Sequence, residues 1–305
     1  MDTGLHPLIV GTFLGVFGAT LGSFLNVVIC RLPESGQSIV KPRSRCPKCG
    51  ATIRWYDNIP IISFLVLGRR CRACGEKISW RYPLVEALTS GAILLLWWRF
   101  GLSKELAVHF SFTAALIAIT FIDLEHRIIP NEISLPGIVV GFACSFLWEG
   151  FWKSSAIGLA VGGGGLLLLS EGYALIRRRE GMGMGDVKLL AMLGAWLGWQ
   201  CLLFVLLFAS VQGVLASVIL KLSGVELKPP LPEEWEEQED AKEGAPAAEE
   251  APDEDAKNDD KGSGPAEEEE TPFLLAAIPF GPFLALAAIE YLFLGEWFYA
   301  WLRGG

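Results

Sequence analysis

The sequence predicts an all-α polytopic membrane protein of about eight transmembrane helices, with a small cytosolic four-cysteine zinc-binding domain between the first and second spans. Three observations carry that expectation. Hydrophobic residues make up 52% of the 305, mean hydropathy is +0.42, and there are 11 Trp and 18 Phe. Such a composition suits a chain that passes repeatedly through lipid, not a soluble domain. The apolar residues fall into segments of roughly span length, and Lys and Arg crowd into alternate loops.

The spans are expected at 8–29, 83–98, 106–122, 132–148, 155–176, 187–200, 201–221 and 273–295, with the boundary near 197–203 the least defined. No small-residue cleavage site follows the first, so it is expected to stay as a helix and not to be removed as a signal peptide. Residues 31–82 carry 11 Lys or Arg; Arg127, Arg177, Arg178, Arg179 and Lys188 lie in two further loops. The opposite side holds Arg99, Lys104, Lys153 and Arg303. Basic loops stay in the cytosol, so both termini are expected outside.

The net charge of −9 is unevenly spread. Residues 225–271 hold 19 Asp or Glu against 4 Lys, a net −15, which leaves the rest of the chain at +6. With one aromatic residue, Trp235, that stretch cannot build a core and is expected to be a disordered cytosolic loop. The expected organisation is a first helix (1–30), the four-cysteine domain (31–82), a membrane core (83–224), the acidic loop (225–271), and a last helix with its tail (272–305).

Four of seven cysteines form CPKCG (Cys46, Cys49) and CRACG (Cys71, Cys74), with 21 residues between the pairs. Two such knuckles, each followed by a glycine that lets the chain turn, match a structural tetrathiolate zinc site. In a reducing cytosol zinc is favoured over the other reading, two redox pairs. Four thiolates leave no open position for water, so the metal would hold the domain together and not catalyse. Cys30, Cys144 and Cys201, in or beside apolar spans, read as packing residues.

Two aspartates stand where a long apolar segment meets a basic loop. Asp123 follows Leu106–Ile122 in FIDLEHRIIPN, and Asp186 opens the sixth segment in GMGMGDVKLL. A carboxylate within the bilayer costs about 3 kcal/mol unless paired or used, so two in equivalent places suggest one shared site. Two carboxyls sharing a water are the machinery of an aspartyl protease, one acting as base and the other as acid.

Other residues invite weaker readings. The run GGGG at 162–165 lies inside an apolar span and reads as a helix-packing face, not a nucleotide loop. His126 could touch Asp123 across one helical turn, while Glu125 reads as surface and His6 and His109 have no evident partner. Glu86, Glu171 and Glu290 fall in or near spans; Glu86 could snorkel or pair with Arg81. Lys188 points away from Asp186 on a helix and need not be its ion partner.

Five stretches together resemble the type IV prepilin peptidases, membrane aspartyl proteases of the GxGD type that also methylate their product. They are GSFLNVVICRLP (22–33), the cysteine region 45–86, FIDLEHRIIPN (121–131), GMGMGDVKLLAMLGAWLG (181–198) and PFGPFLA (279–285). Only the 225–271 segment departs clearly, being longer and more acidic. The resemblance implies Asp123 and Asp186 as the catalytic pair in a bacterial inner membrane. It implies prepilin or pseudopilin substrates, cut after a glycine that ends a short basic leader. It also implies N-methylation of the new N-terminus by S-adenosylmethionine, for which no soluble-methyltransferase pattern is present and no binding residues are assigned. Gly183 and Gly185 would leave backbone room beside Asp186 for an extended substrate strand, and Pro130 would hold the chain at the membrane face. The expected partners are the substrate and the lipid bilayer, with no nucleic acid. Two alternatives are a GxGD-type signal peptidase without methyltransferase activity and a non-enzymatic zinc-bearing scaffold; the cysteine domain disfavours the first and the paired aspartates the second.

Overall fold

The computed structural model describes residues 6–34, 38–41, 43–177, 183–223 and 279–304. The acidic segment, Arg178 and Arg179, and the expected start of the last span at 273–278 lie outside them. Among the described residues every extended element is helical: α1 Pro7–Arg31, α2 Ile62–Val66, α3 Arg81–Phe100, α4 Lys104–His126 and α5 Asn131–Cys144. They continue as α6 Phe151–Leu159, α7 Leu166–Arg177, α8 Met184–Leu197, α9 Gln200–Leu222 and α10 Gly281–Leu302. Helices satisfy their own backbone groups, which a chain in hydrocarbon must do.

Five helical stretches are long and apolar enough to cross a membrane: Pro7–Arg31, Lys104–His126, Phe151–Gly172, Gln200–Leu222 and Gly281–Leu302. The other three expected spans are helical as well, but fall short. The 14 residues of α8 extend about 21 Å, less than the ~30 Å of a hydrocarbon core. α5 has the same length, and α3 carries Arg81, Glu86 and Arg99. Short helices are tolerated when their neighbours shield them. α8 is shielded beyond its first turn, every residue from Leu189 to Leu197 being buried. The uncertain boundary resolves into Gly198 at φ +82° and the Trp199 N–H bonded to the Ser154 carbonyl at 3.1 Å. The last helix runs to Leu302, beyond the expected end.

The chain divides into two units. Residues up to Gln212, with those from Pro279, form the first and carry every site below. Residues from Gly213 continue α9 in the second, where the Ser217 hydroxyl bonds the Gly213 carbonyl at 2.8 Å.

Within the first unit α4 is central. Its Phe112, Leu116 and Ile119 pack with Leu189, Leu193, Val205 and Leu284, while Ala114, Ile117, Ala118 and Ile122 pack with Leu25, Ile29 and Val85. A helix apolar on both faces has to be buried. Ser103 caps it, its hydroxyl accepting the Leu106 N–H at 3.3 Å, and Arg127 ends it in the left-handed region at φ +54°. α1 and α3 lie antiparallel and unusually close: a methyl on Gly18 would stand 2.8 Å from the Ser90 Cα, and one on Gly22 2.7 Å from the Glu86 Cα. Glycine at such contacts lets backbones meet, which stabilises helix pairs in lipid. The GGGG run is a π-type turn, Ala160–Gly165, whose Gly162 lies against the Leu190 carbonyl and Gly163 against Ala191. It packs helices, as its setting suggested.

Candidate active site and metal centre

Asp123 occupies the last turn of α4 and is 5% exposed. Its carbonyl accepts the Arg127 N–H at 2.9 Å, so the left-handed Arg127 turns the chain away directly beyond it. Pro130 then precedes α5 as its N-cap. Asp186 lies in the first turn of α8, where its N–H bonds the Gly183 carbonyl at 3.1 Å. Because α4 ends where α8 begins, the fold brings both carboxyls to one end of the bundle, and each lies within the other's electrostatic reach.

The sequence did not single out Gly281, at the start of α10, which completes this arrangement. Its backbone lies directly against the Asp123 carboxyl. A methyl there would collide with Asp123 Oδ2 and stand 3.2 Å from Ile129 Cδ1. The 22-residue α10 therefore directs its N-terminus, the positive end of its dipole, at the buried carboxylate. A Gly-Pro step opening an apolar run was the only local signal, and it carries no indication of a partner 158 positions upstream.

The two glycines before Asp186 differ. Gly183 faces Asp186 Oδ2, 3.9 Å from where its Cβ would be, and is exposed. At Gly185 the space is taken by Ile129, 3.1 Å from a Cβ there. Ile129 thus touches both Gly185 and Gly281, wedged between the starts of α8 and α10.

Other polar candidates have structural partners. Glu86, 7% exposed, accepts the Ile61 N–H at 2.7 Å and does not pair with Arg81. Arg81 instead pairs with Glu125 and donates to Cys30 Sγ at 2.6 Å. Lys188 donates to Asn131 Oδ1 at 2.7 Å, and Glu290 accepts from Gln212 at 2.7 Å. His109 packs between Phe100 and Trp148, and Cys201 is fully buried in the main core.

The cysteine knuckles are near copies. Cys46 and Cys71 each accept an N–H at 2.9 Å from the glycine four residues on, Gly50 and Gly75, whose φ values are +70° and +74°. Each cysteine N–H also closes a small loop, onto Ala51 and Glu76 at 2.9 and 2.8 Å. The four sulfurs lie within 4.8 Å of one another, and Cys46 and Cys74, from different knuckles, are 3.8 Å apart. Backbone N–H groups of Cys49 and Lys48 bring the Cys46 thiol down to about 7. Cys74, although the Glu76 backbone favours its thiolate, is pushed up to about 12 by lost hydration and its three sulfur neighbours. Four thiolates this close need a cation among them, and the group could hold a metal ion.

Residues 16–100 match the bacterial peptidase A24 N-terminal domain, and residues 110–218 match the type IV leader peptidase family. A prepilin leader peptidase/N-methyltransferase of Myxococcus xanthus is 40% identical, over 96% of this chain and 93% of its own. Proteins of that name from Pseudomonas putida and Neisseria gonorrhoeae are 37% and 38% identical, over 71% and 68% of this chain and 83% and 81% of theirs. No solved structure matches. The first family match takes in all four clustered cysteines and the second takes in both aspartates, and with a relative aligned over nearly the full length the chain belongs to the type IV leader peptidase family.

Proposed function

We propose that this chain is a membrane aspartyl endopeptidase that removes the basic leader of type IV prepilins or pseudopilins after a glycine, at the cytosolic face of a bacterial inner membrane. The observation that carries this reading is the meeting of Asp123 and Asp186 at one end of the bundle, beside the basic loops. One carboxylate takes a proton from water as its oxygen attacks the scissile carbonyl carbon. The other carboxylic acid protonates the leaving amine, and the pair exchanges roles on the next turnover. Gly183 leaves room for a substrate strand beside Asp186; Gly185 instead spaces α8 from Ile129. The Lys and Arg bias supports an N-terminus on the outer side. The test is incubation of the purified protein with a leader-bearing prepilin, with mass spectrometry locating the cut. A cut elsewhere than after the glycine, or none, would remove this reading.

Gly281 acts here as a positioning residue. Gly281→Ala is expected to lower kcat by about 100-fold, the usual cost of displacing a reacting group by ~1 Å, and to leave KM and metal content unchanged. A variant with normal kcat would remove the Gly281–Asp123 contact from the mechanism.

The metal proposed for the cysteine cluster is zinc. A tetrahedron with ~2.3 Å Zn–S bonds sets its sulfurs about 3.8 Å apart, close to the 3.8 Å between Cys46 and Cys74. Cys46, Cys49, Cys71 and Cys74 would hold it, and it would supply folding free energy only.

The names of the relatives support a second step on the product. The amine freed by cleavage attacks the sulfonium methyl of S-adenosylmethionine as a co-substrate, forming a C–N bond and releasing S-adenosylhomocysteine and a proton. Since that amine does not exist before the cut, a single added methyl should appear only on cleaved pilin. Cleaved product that stays unmethylated with fresh co-substrate would favour a signal peptidase without this activity.

A further inference from the structure

The four-cysteine region exposes an apolar helix face that no other described residue covers. In α2, Ser63 and Phe64 are buried while Ile62, Leu65 and Val66 are 58%, 69% and 75% exposed, and they share a face at i, i+3 and i+4 spacing. Large apolar side chains grouped this way mark a binding or membrane surface.

The depth of α2 follows from its neighbours. Arg81, at the start of α3, donates to Cys30 at the end of the membrane-crossing α1. Glu86 stands five residues further along α3, about 7 Å deeper, against Gly22 of α1. Its carboxylate holds the Ile61 N–H at 2.7 Å. The Pro60–Ile62 turn therefore dips past the level at which α3 begins. The turn is strained, with Ile61 at φ +61° and ψ −48° and the Ile62 N–H bonded to the Pro60 carbonyl at 2.5 Å. A β-branched residue adopts that conformation only where surrounding contacts impose it.

Continuity with the lipid-facing surface comes through Trp80. Phe64 of α2 packs on it at 5.0 Å, and it heads an exposed stripe of α3 made by Trp80, Leu84 and Leu88. Tryptophan favours the interface between headgroups and acyl chains. Arg69 lies over the Trp80 ring at 4.8 Å, placing a cationic group at the same level.

We propose that Ile62, Leu65 and Val66 lie in the headgroup–acyl boundary of the bilayer, so that α2 is an interfacial anchor holding the cysteine domain against the membrane. The partner is lipid, with anionic headgroups matched to Arg69.

A photoreactive benzoylphenylalanine placed in turn at Ile62, Leu65 and Val66, and as a control at exposed Thr52 on the first knuckle, tests this in the full chain. The protein would be held in nanodiscs of phosphatidylethanolamine and phosphatidylglycerol, with metal content confirming the fold of each variant. Irradiation is expected to give lipid adducts at the three α2 positions in several-fold higher yield than at position 52. Equal yields would overturn the proposal. So would loss of the lipid adducts in favour of prepilin adducts on adding substrate, because the face would then be a peptide-docking surface.

Discussion

Asp123→Asn and Asp186→Asn should each reduce prepilin cleavage by roughly 1,000-fold or more, within the range expected on removing a general acid or base. Asparagine keeps the size of the side chain, so the close fit of position 123 against Gly281 is retained. It cannot carry the proton that water must lose and the amine must gain. The double variant should be scarcely worse than either single one, because groups that act as a unit do not contribute additively. Membrane insertion and metal content should match the parent, since the cysteines belong to another part of the chain. The measurement is initial cleavage rate on a leader-bearing prepilin in detergent. Near-normal cleavage by either single variant would sink the assignment of the pair.

What the sequence made legible follows the range of the interactions concerned. The cysteine cluster was readable because its signal is local. Spacing within each knuckle and the glycine after it specify the turn, and Gly50 and Gly75 adopt the positive φ it needs. The helices were readable because lipid enforces them, although a span of 14 residues such as α8 is credible only once its neighbours cover it. The aspartates were readable as a pair from their matching positions at segment ends. Gly281 was not, because its role is a contact between the end of α4 and the start of α10 that no local pattern records. The partner of Glu86 was not legible for the same reason. The nearest cation in sequence is Arg81, but the fold gives Arg81 to Glu125 and Cys30 and offers Glu86 a backbone N–H from the cysteine domain.

Replacing Cys46 and Cys71 together by Ser, one ligand from each knuckle, should empty the metal site and unfold residues 31–82 while the helical bundle persists. The reasoning is one of scale. Among the described residues between Arg43 and Trp80, only Cys46, Ser63 and Phe64 are buried, so the segment has a single large apolar side chain in its core. Ordering a residue costs ~1–2 kcal/mol of conformational entropy, which one phenylalanine cannot offset for a segment of this length. Structural zinc held by thiolates supplies about 10–16 kcal/mol of apparent binding free energy, of the size required. Metal analysis should find about one zinc per chain in the parent and little in the variant. Limited proteolysis should then cut the variant within 31–82 under conditions that leave the parent intact. The closed thiolate shell has no position for water, so cleavage should fall only as far as the disorder reaches α3, through the hydrogen bond between Ile61 and Glu86. A metal-free protein with the parent's proteolytic pattern would show that the knuckles stand without a cation, and the tetrathiolate reading would go with it.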